Sequence, residues 1–309
     1  MIIHYGYENL KILNPVVTTG IFDGVHRGHV ALLQCLKKRA AELGGESVVV
    51  TFHPHPRIVL AQDHQGLSFL STMDEKTVLL ESAGIDHMII IEFTREFSLL
   101  GACDFIRKIL VGNIGTKHLV IGYNHHFGKS REGDFVTIEQ CAGSFGLDVE
   151  RVEGFYTAGM AVSSSNIRNM LLEGSTEEAN NILGYNYPIS GVVTEGRKIG
   201  RTIGFPTANI EPSEQYKLIP AKGVYAVEVR IKDSVYPGML SIGSNPTVNS
   251  DPLKRFIEVN ILNFNADIYG KIITVIFHKR LRSEMKFSDI SQLASQIEID
   301  RQEVLKFFS

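Results

Sequence analysis

The chain has 309 residues, 44% of them hydrophobic, and a formal net charge of −3, enough material for two ordinary cores. Residues 1–183 carry 15 Lys+Arg against 21 Asp+Glu and residues 184–309 carry 16 against 13, so neither part has the basic excess with which proteins grip long nucleic acids. Three separated cysteines, Cys35, Cys103 and Cys141, match neither a disulfide framework nor zinc-ligand spacing, and no apolar run is long enough to span a bilayer; unpaired thiols in a soluble, cytoplasmic protein with no membrane partner are expected.

Along the first part, apolar runs at 16–22, 47–52, 87–93, 118–123 and 147–155 alternate with stretches of helical period. Capping-box patterns run from Thr72 to Glu75 and from Ser175 to Glu178. Strands apolar almost throughout and separated by helices predict a mostly parallel sheet covered on both faces. From about residue 187 the pattern changes to strands at 187–193, 223–231, 236–244, 256–264 and 271–281, punctuated by Gly, Pro and Asn, which predicts a small antiparallel barrel. A last helix over 288–308 is expected to dock through Ile290, Leu293, Ile297, Val304, Leu305 and Phe308. The helix stop at Gly184 marks the expected domain boundary.

Between the first of these strands and the helical run 30–43 the chain reads TTGIFDGVHRGH, residues 18–29. A helix that starts at the carboxyl end of a parallel strand offers unpaired N–H groups and the positive end of its dipole. Gly20, Gly24 and Gly28 let backbone approach a phosphate closely, and His26 and His29 can donate to phosphate oxygens. The spacing is neither G-x-G-x-x-G nor G-x-x-x-x-G-K-[ST], which excludes the usual dinucleotide and Walker loops. Two such histidines also suit zinc or an ordinary polar loop; the order strand, turn, helix favours phosphate.

The stretch GIFDGVHRGH resembles the nucleotide-binding motif of the HxGH nucleotidyltransferases, and its F-D-G-x-H-x-G-H form resembles the adenylyltransferase module of bifunctional riboflavin kinase/FAD synthetases. FHPHP at 52–56, IGYNHHFGKSREGD at 121–134 and SSSNIR at 163–168 follow in the order of that module. The resemblance implies a Rossmann-like domain in which Gly20, Phe22, Asp23, Gly24, Gly28, Ser164 and Ser165 bind nucleotide, His26 and His29 hold the triphosphate of ATP, and Arg168 closes over it. It also places His53, Pro54 and Phe127 near the flavin and Asn124 near the metal or the flavin. Read without it, Ser164 or Ser165 caps a helix and FHPHP is a rigid loop. Asn166 stands where the family has Thr, and NHHFG, with His125 and His126, replaces a DFRFG-like loop whose change bears on flavin affinity.

GRKIGRTIGFPTANI at 196–210 reads by itself as a glycine-rich structural turn beside a strand. It resembles the G-x-x-x-G-R-x-x-G-F-P-T-A-N motif of riboflavin kinases, which implies nucleotide contacts from Gly204 and Pro206 and a role for Thr207 and Asn209 in holding Mg²⁺ and phosphate. In the strand that follows the turn GSNPT at 243–247, alternation puts Ile257, Val259 and Ile261 on one face and Phe256, Glu258, Asn260 and Leu262 on the other. A strand glutamate ordinarily faces solvent; the resemblance makes Glu258 the catalytic base.

The expected protein is therefore a Rossmann-like HxGH domain, residues 1–183, followed by a small antiparallel β-barrel kinase domain with a C-terminal helix, residues 184–309. By resemblance it converts riboflavin to FMN and FMN to FAD with ATP and Mg²⁺, as a monomer or weak homo-oligomer. Two alternatives stay open: a different phosphorylated acceptor for the first domain, or a non-catalytic flavin- or nucleotide-sensing role for one of the two.

Overall fold

The computed structural model of the chain describes residues 1–64, 66–123, 128, 133–157, 160–196, 204–244 and 255–309. They form two compact units, one holding 1–67 and 71–164, the other 68–70 and 165–309.

In the first unit, β1 (Ile2–Tyr5), β2 (Val16–Thr19), β3 (Ser47–His53), β4 (His87–Glu92), β5 (His118–Gly122) and β6 (Asp148–Val152) form a parallel sheet in the order β1-β4-β3-β2-β5-β6. Successive residues of the central strands feed opposite cores. Val16, Val49, Met88 and Ile90 pack with Leu32, Leu33 and Leu36 of α1 (Arg27–Glu42) and Leu80 of α3 (Met73–Ser82). Val17, Val48, Val50, Ile89 and Ile91 pack on the other side. There they meet Phe105, Ile106 and Ile109 of a π-helix (Phe105–Ile114) and Ile138 of α5 (Phe135–Gly143). This two-sided burial is why the strands read as unbroken apolar runs.

A short helix α2 (Pro56–Leu60) follows β3, and α4 (Ala102–Asp104) runs into the π-helix. The capping box of Thr72 and Glu75 is present. Strand β1 was not anticipated, because four largely exposed edge residues give no buried alternation. Cys103 of α4 and Cys141 of α5 stand next to each other, Cα atoms 5.3 Å apart, and Cys35 lies apart from them. Sequence separation conceals that α4 and α5 lie side by side. A short hairpin of β7 (Tyr156–Thr157) and β8 (Met160–Ala161) ends the unit.

Helix α6 (Ser164–Glu173) leads into the second unit, where α7 (Thr176–Leu183) precedes β9 (Pro188–Thr194), β10 (Ala208–Pro212), β11 (Gly223–Ile231), β12 (Ser234–Ser244), β13 (Arg255–Ile261) and β14 (Ile272–Arg282). These strands close an antiparallel barrel in the order β10-β13-β12-β11-β14-β9. Buried Asn180 fixes α7 to it, donating to the Phe277 carbonyl at 2.8 Å and accepting from the Tyr187 N–H at 2.9 Å. The anticipated capping box at Ser175 is absent, for Ser175 makes no side-chain cap bond and Gly184 in a left-handed conformation (φ 88°) ends the helix.

The final helix, α8 (Ile290–Phe308), docks through Ile297, Val304, Leu305 and Phe308 on Val224, Ala226 and Met239. Ile290 does not take part; it is 65% exposed at the open first turn. No helix among the described residues is long and apolar enough to cross a membrane.

Candidate active sites

The strand order reverses between β2 and β5, so the loop after β2 emerges at a topological switch point, where open α/β sheets bind ligands. Phe22 (φ 51°), Gly24 (φ 79°) and Val25 (φ 35°) all adopt left-handed backbone there. For the two non-glycine residues this costs of order 1–3 kcal/mol each. Burial of both side chains in the α1 core, each 2% exposed, holds the shape.

His26 is the N-cap of α1: its Nδ1 accepts the His29 backbone N–H at 3.3 Å. A neutral His26 therefore carries its proton on Nε2, which leaves that nitrogen as a donor. The two imidazoles stack, centroids 3.7 Å apart and planes 12° from parallel. A Cβ on Gly28 would lie 3.3 Å from the His26 ring, so the glycine makes room for the cap. Burial, then the neighbouring His26 and Lys76, push the His29 imidazole well below its ordinary 6.5, and its buried Nδ1 has no partner among the described residues. His29 is thus neutral in the free protein.

The loop is tied down on two sides. Asp23, 6% exposed, accepts the Ser71 N–H at 3.0 Å through Oδ1, and the Gly24 N–H donates to Ser71 Oγ at 2.9 Å. Ser164 Oγ donates to the Asp23 carbonyl at 2.9 Å. The structure therefore brings His26, His29, Gly28, Gly24, Asp23 and Ser164 together, with Gly20 leading in from β2 and held by a 3.0 Å bond from its N–H to the Val50 carbonyl. Ser71 and Lys76 belong to the same assembly and were missed in the sequence.

His53 and Pro54 leave the carboxyl end of β3, with His55 capping α2 through a 3.0 Å bond from Arg57 N–H. Asn124, His125, His126 and Phe127 lie outside the described residues. Beside them in sequence, an open recess is lined by Tyr123, Arg151, Glu153, Gly154 and Tyr156. Arg151 stacks 5.1 Å over the Phe135 ring. Arg168 and Ser165 belong to the second unit, where Arg168 Nη2 donates to Ser165 Oγ at 3.2 Å.

In the barrel, Asn209 of β10 stands opposite Glu258 of β13, and Thr207 Oγ1 donates to Glu258 Oε2 at 3.3 Å. Ile257 and Val259 are buried, 2% and 0% exposed, so the alternation read from sequence puts Glu258 on the opposite face. Buried Asn260 fixes the turn between Gly204 and β10 by donating to the Pro206 carbonyl at 2.7 Å. Gly196 lies so near Asn209 that a Cβ there would sit 1.8 Å from its Nδ2. The anticipated strand list omitted β10, whose glycine- and proline-rich approach masks it. Most of the GSNPT turn, from residue 245 on, and residues 197–203 lie outside the described residues.

The Thr207 hydroxyl and the Asn209 carboxamide oxygen are hard donors that fit Mg²⁺, an ion that keeps water and substrate phosphate oxygens in its shell. Among the described residues no group of three or more His, Cys, Asp or Glu could hold a metal.

Residues 11–166 match the family described as FAD synthetase, and residues 183–308 match the one described as riboflavin kinase. The chain is 39% identical to a bifunctional riboflavin kinase/FMN adenylyltransferase of Listeria monocytogenes, covering 96% of this chain and 93% of that one. A protein of the same description from Bacillus subtilis is 38% identical, with 95% and 92% covered. Among solved structures, one described as a macrolide-efflux protein from Streptococcus pneumoniae superposes with a TM-score of 0.88 at 31% identity, covering 98% of both chains; it shares this architecture.

Proposed function

Since the chain belongs to the bifunctional riboflavin kinase/FMN adenylyltransferase family, we propose that its two ATP-dependent steps run at two unlike pockets, one with a base and one without. The observation that carries this is the contrast in donors: a carboxylate beside a hydroxyl in the barrel, against a histidine-capped helix start in the sheet.

In the barrel, riboflavin presents a neutral primary alcohol, so its proton must leave as the oxygen attacks the γ-phosphorus of ATP. Glu258 accepts that proton. Thr207 and Asn209 would hold Mg²⁺, which supplies charge neutralisation at the phosphates, and Gly204 and Pro206 shape the turn beneath the nucleotide.

In the sheet, a phosphate oxygen of FMN attacks the α-phosphorus of a second ATP and pyrophosphate leaves. A phosphomonoester is largely ionised at neutral pH, its second pKa being near ~6, so no base is required. The work is positioning and electrostatic stabilisation. His26 offers Nε2–H, the backbone of Gly20–Gly28 follows the phosphates, and Ser164 holds the loop through Asp23. Arg168 and Ser165 complete the phosphate contacts, while His53, Pro54, Asn124 and Phe127 take the flavin.

We assign the adenylyltransferase to residues 1–183 and the kinase to 184–309, in a cytoplasmic protein that is a monomer or weak homo-oligomer. In that reducing compartment Cys103 and Cys141 stand as adjacent thiols. Incubation with ATP and either riboflavin or FMN, followed by separation of FMN, FAD, ADP and pyrophosphate, tests the division directly: ADP accompanies FMN, and pyrophosphate accompanies FAD.

A further inference from the structure

A pocket for a triphosphate needs positive charge, and the buried His29 imidazole does not supply it. His29 is held neutral by its burial. Its ring stacks on His26 at 3.7 Å, so two protonated rings would stand face to face. Arg27, between them, is exposed. Beside the dipole of α1 and the Arg168 assigned above stands one buried ammonium.

That ammonium is Lys76, only 5% exposed, in the first turns of α3. The start of its helix is bolted to the loop by the Ser71 bonds to Asp23 and Gly24. Thr72 and Glu75 close the helix end with a capping box. Among the described residues the Lys76 ammonium makes no hydrogen bond, and the charge that attracts it is the carboxylate of Asp23. Leaving a cation buried and unpaired is costly, and proteins normally pair such groups or lose the charge.

We infer that Lys76 supplies a fixed positive charge of the adenylyl-transfer site, its counter-ion in the complex being the phosphate chain of ATP. Asp23 and His29 are the titratable groups of the loop that act on it, while Asp74 and Glu75 lie on its own helix. Burial pushes the Lys76 ammonium down to about 8, against the pull of Asp23; it is still mostly charged at pH 7. Arrival of phosphate raises it again and removes the cost of its burial.

The inference rests on the phosphate cradle proposed above, and the experiment separates the two. Lys76→Met, Lys76→Arg and His29→Ala are assayed for FAD formation with ATP varied and FMN saturating. The riboflavin kinase rate of each preparation, measured in parallel, checks the barrel, and circular dichroism checks folding of the whole chain. Lys76→Met is expected to lower kcat/KM for ATP by roughly 100-fold, the scale of losing one strong electrostatic contact. Lys76→Arg is expected to recover most of that loss. The wild-type kcat/KM for ATP should fall as pH rises through about 8, and Lys76→Arg should lack that limb because its guanidinium stays charged.

A Lys76→Met enzyme with wild-type kcat/KM, beside a crippled His29→Ala, overturns the role of Lys76 and leaves the cradle standing. If both variants are unimpaired, the cradle itself is wrong. Should Lys76→Met fail to fold, the pH profile of Lys76→Arg decides: retention of the wild-type limb overturns the inference.

Discussion

Thr207 Oγ1 and Glu258 Oε2 stand 3.3 Å apart on neighbouring antiparallel segments of the barrel, with Asn209 directly across from the glutamate. The pair ties the proposed base to the proposed metal-binding hydroxyl. Glu258→Gln keeps the shape and the hydrogen bond but cannot take a proton. We expect FMN formation to drop at least ~100-fold, within the usual range for a lost general base, while FMN-to-FAD conversion stays near wild type. Loss of both activities together would contradict two separate pockets.

Gly196 offers a steric test of the same site. A methyl there would press on the Asn209 carboxamide, 1.8 Å from Nδ2 before any shift. Gly196→Ala should therefore displace Asn209 and abolish the kinase reaction with FAD synthesis from supplied FMN intact, read from product chromatography. An unchanged kinase rate in the Gly196→Ala enzyme would show that Asn209 is not needed in its observed place.

At the other pocket, His26 both caps a helix and offers a donor, and two substitutions divide these roles. His26→Ala loses the cap, expected to cost about 1 kcal/mol, together with FAD synthesis. His26→Asn restores an acceptor at the cap but not the imidazole donor, so urea melts should recover while FAD formation does not. Recovery of both would mean that the imidazole only starts the helix.

The depressed His29 imidazole has a stability signature. Below pH 6.5 the unfolded chain binds a proton at this residue that the folded chain refuses. Its contribution is thus fully present above 6.5 and is lost as pH falls toward the depressed folded value, by at most about 1.4 kcal/mol per pH unit. His29→Gln should show a shallower decline in melting temperature below pH 6.5 than wild type. Parallel declines would indicate an exposed, freely titrating ring.

Much of this was legible because the signals are local. Apolar strands with helices between them, the Thr72–Glu75 box and the alternation around Glu258 all depend on near neighbours. The Asn180 clamp, the meeting of Cys103 with Cys141 and the reach of Ser71 to Asp23 depend on chain segments far apart in sequence, and no periodicity announces them. Lys76 lies between these extremes. It shares one helix face with Met73 and Leu80, at spacings i, i+3 and i+7, so a lysine on an apolar stripe was visible and could have been flagged. The flavin contacts assigned to Asn124 and Phe127 rest on motif resemblance, since a pocket for a flat ring leaves no periodic trace in the chain.

The two buried side chains beneath the phosphate loop tie chemistry to the interior. Phe22 and Val25 bend the main chain into an unfavourable arc, and their fit among α1 and the neighbouring strands helps to keep it so. The cradle accordingly has its curvature before any nucleotide arrives. Evolutionary drift among those greasy neighbours is then not silent: swapping one aliphatic for another at Leu33 or Leu36, remote from every ligand, can retune turnover by letting the arc relax.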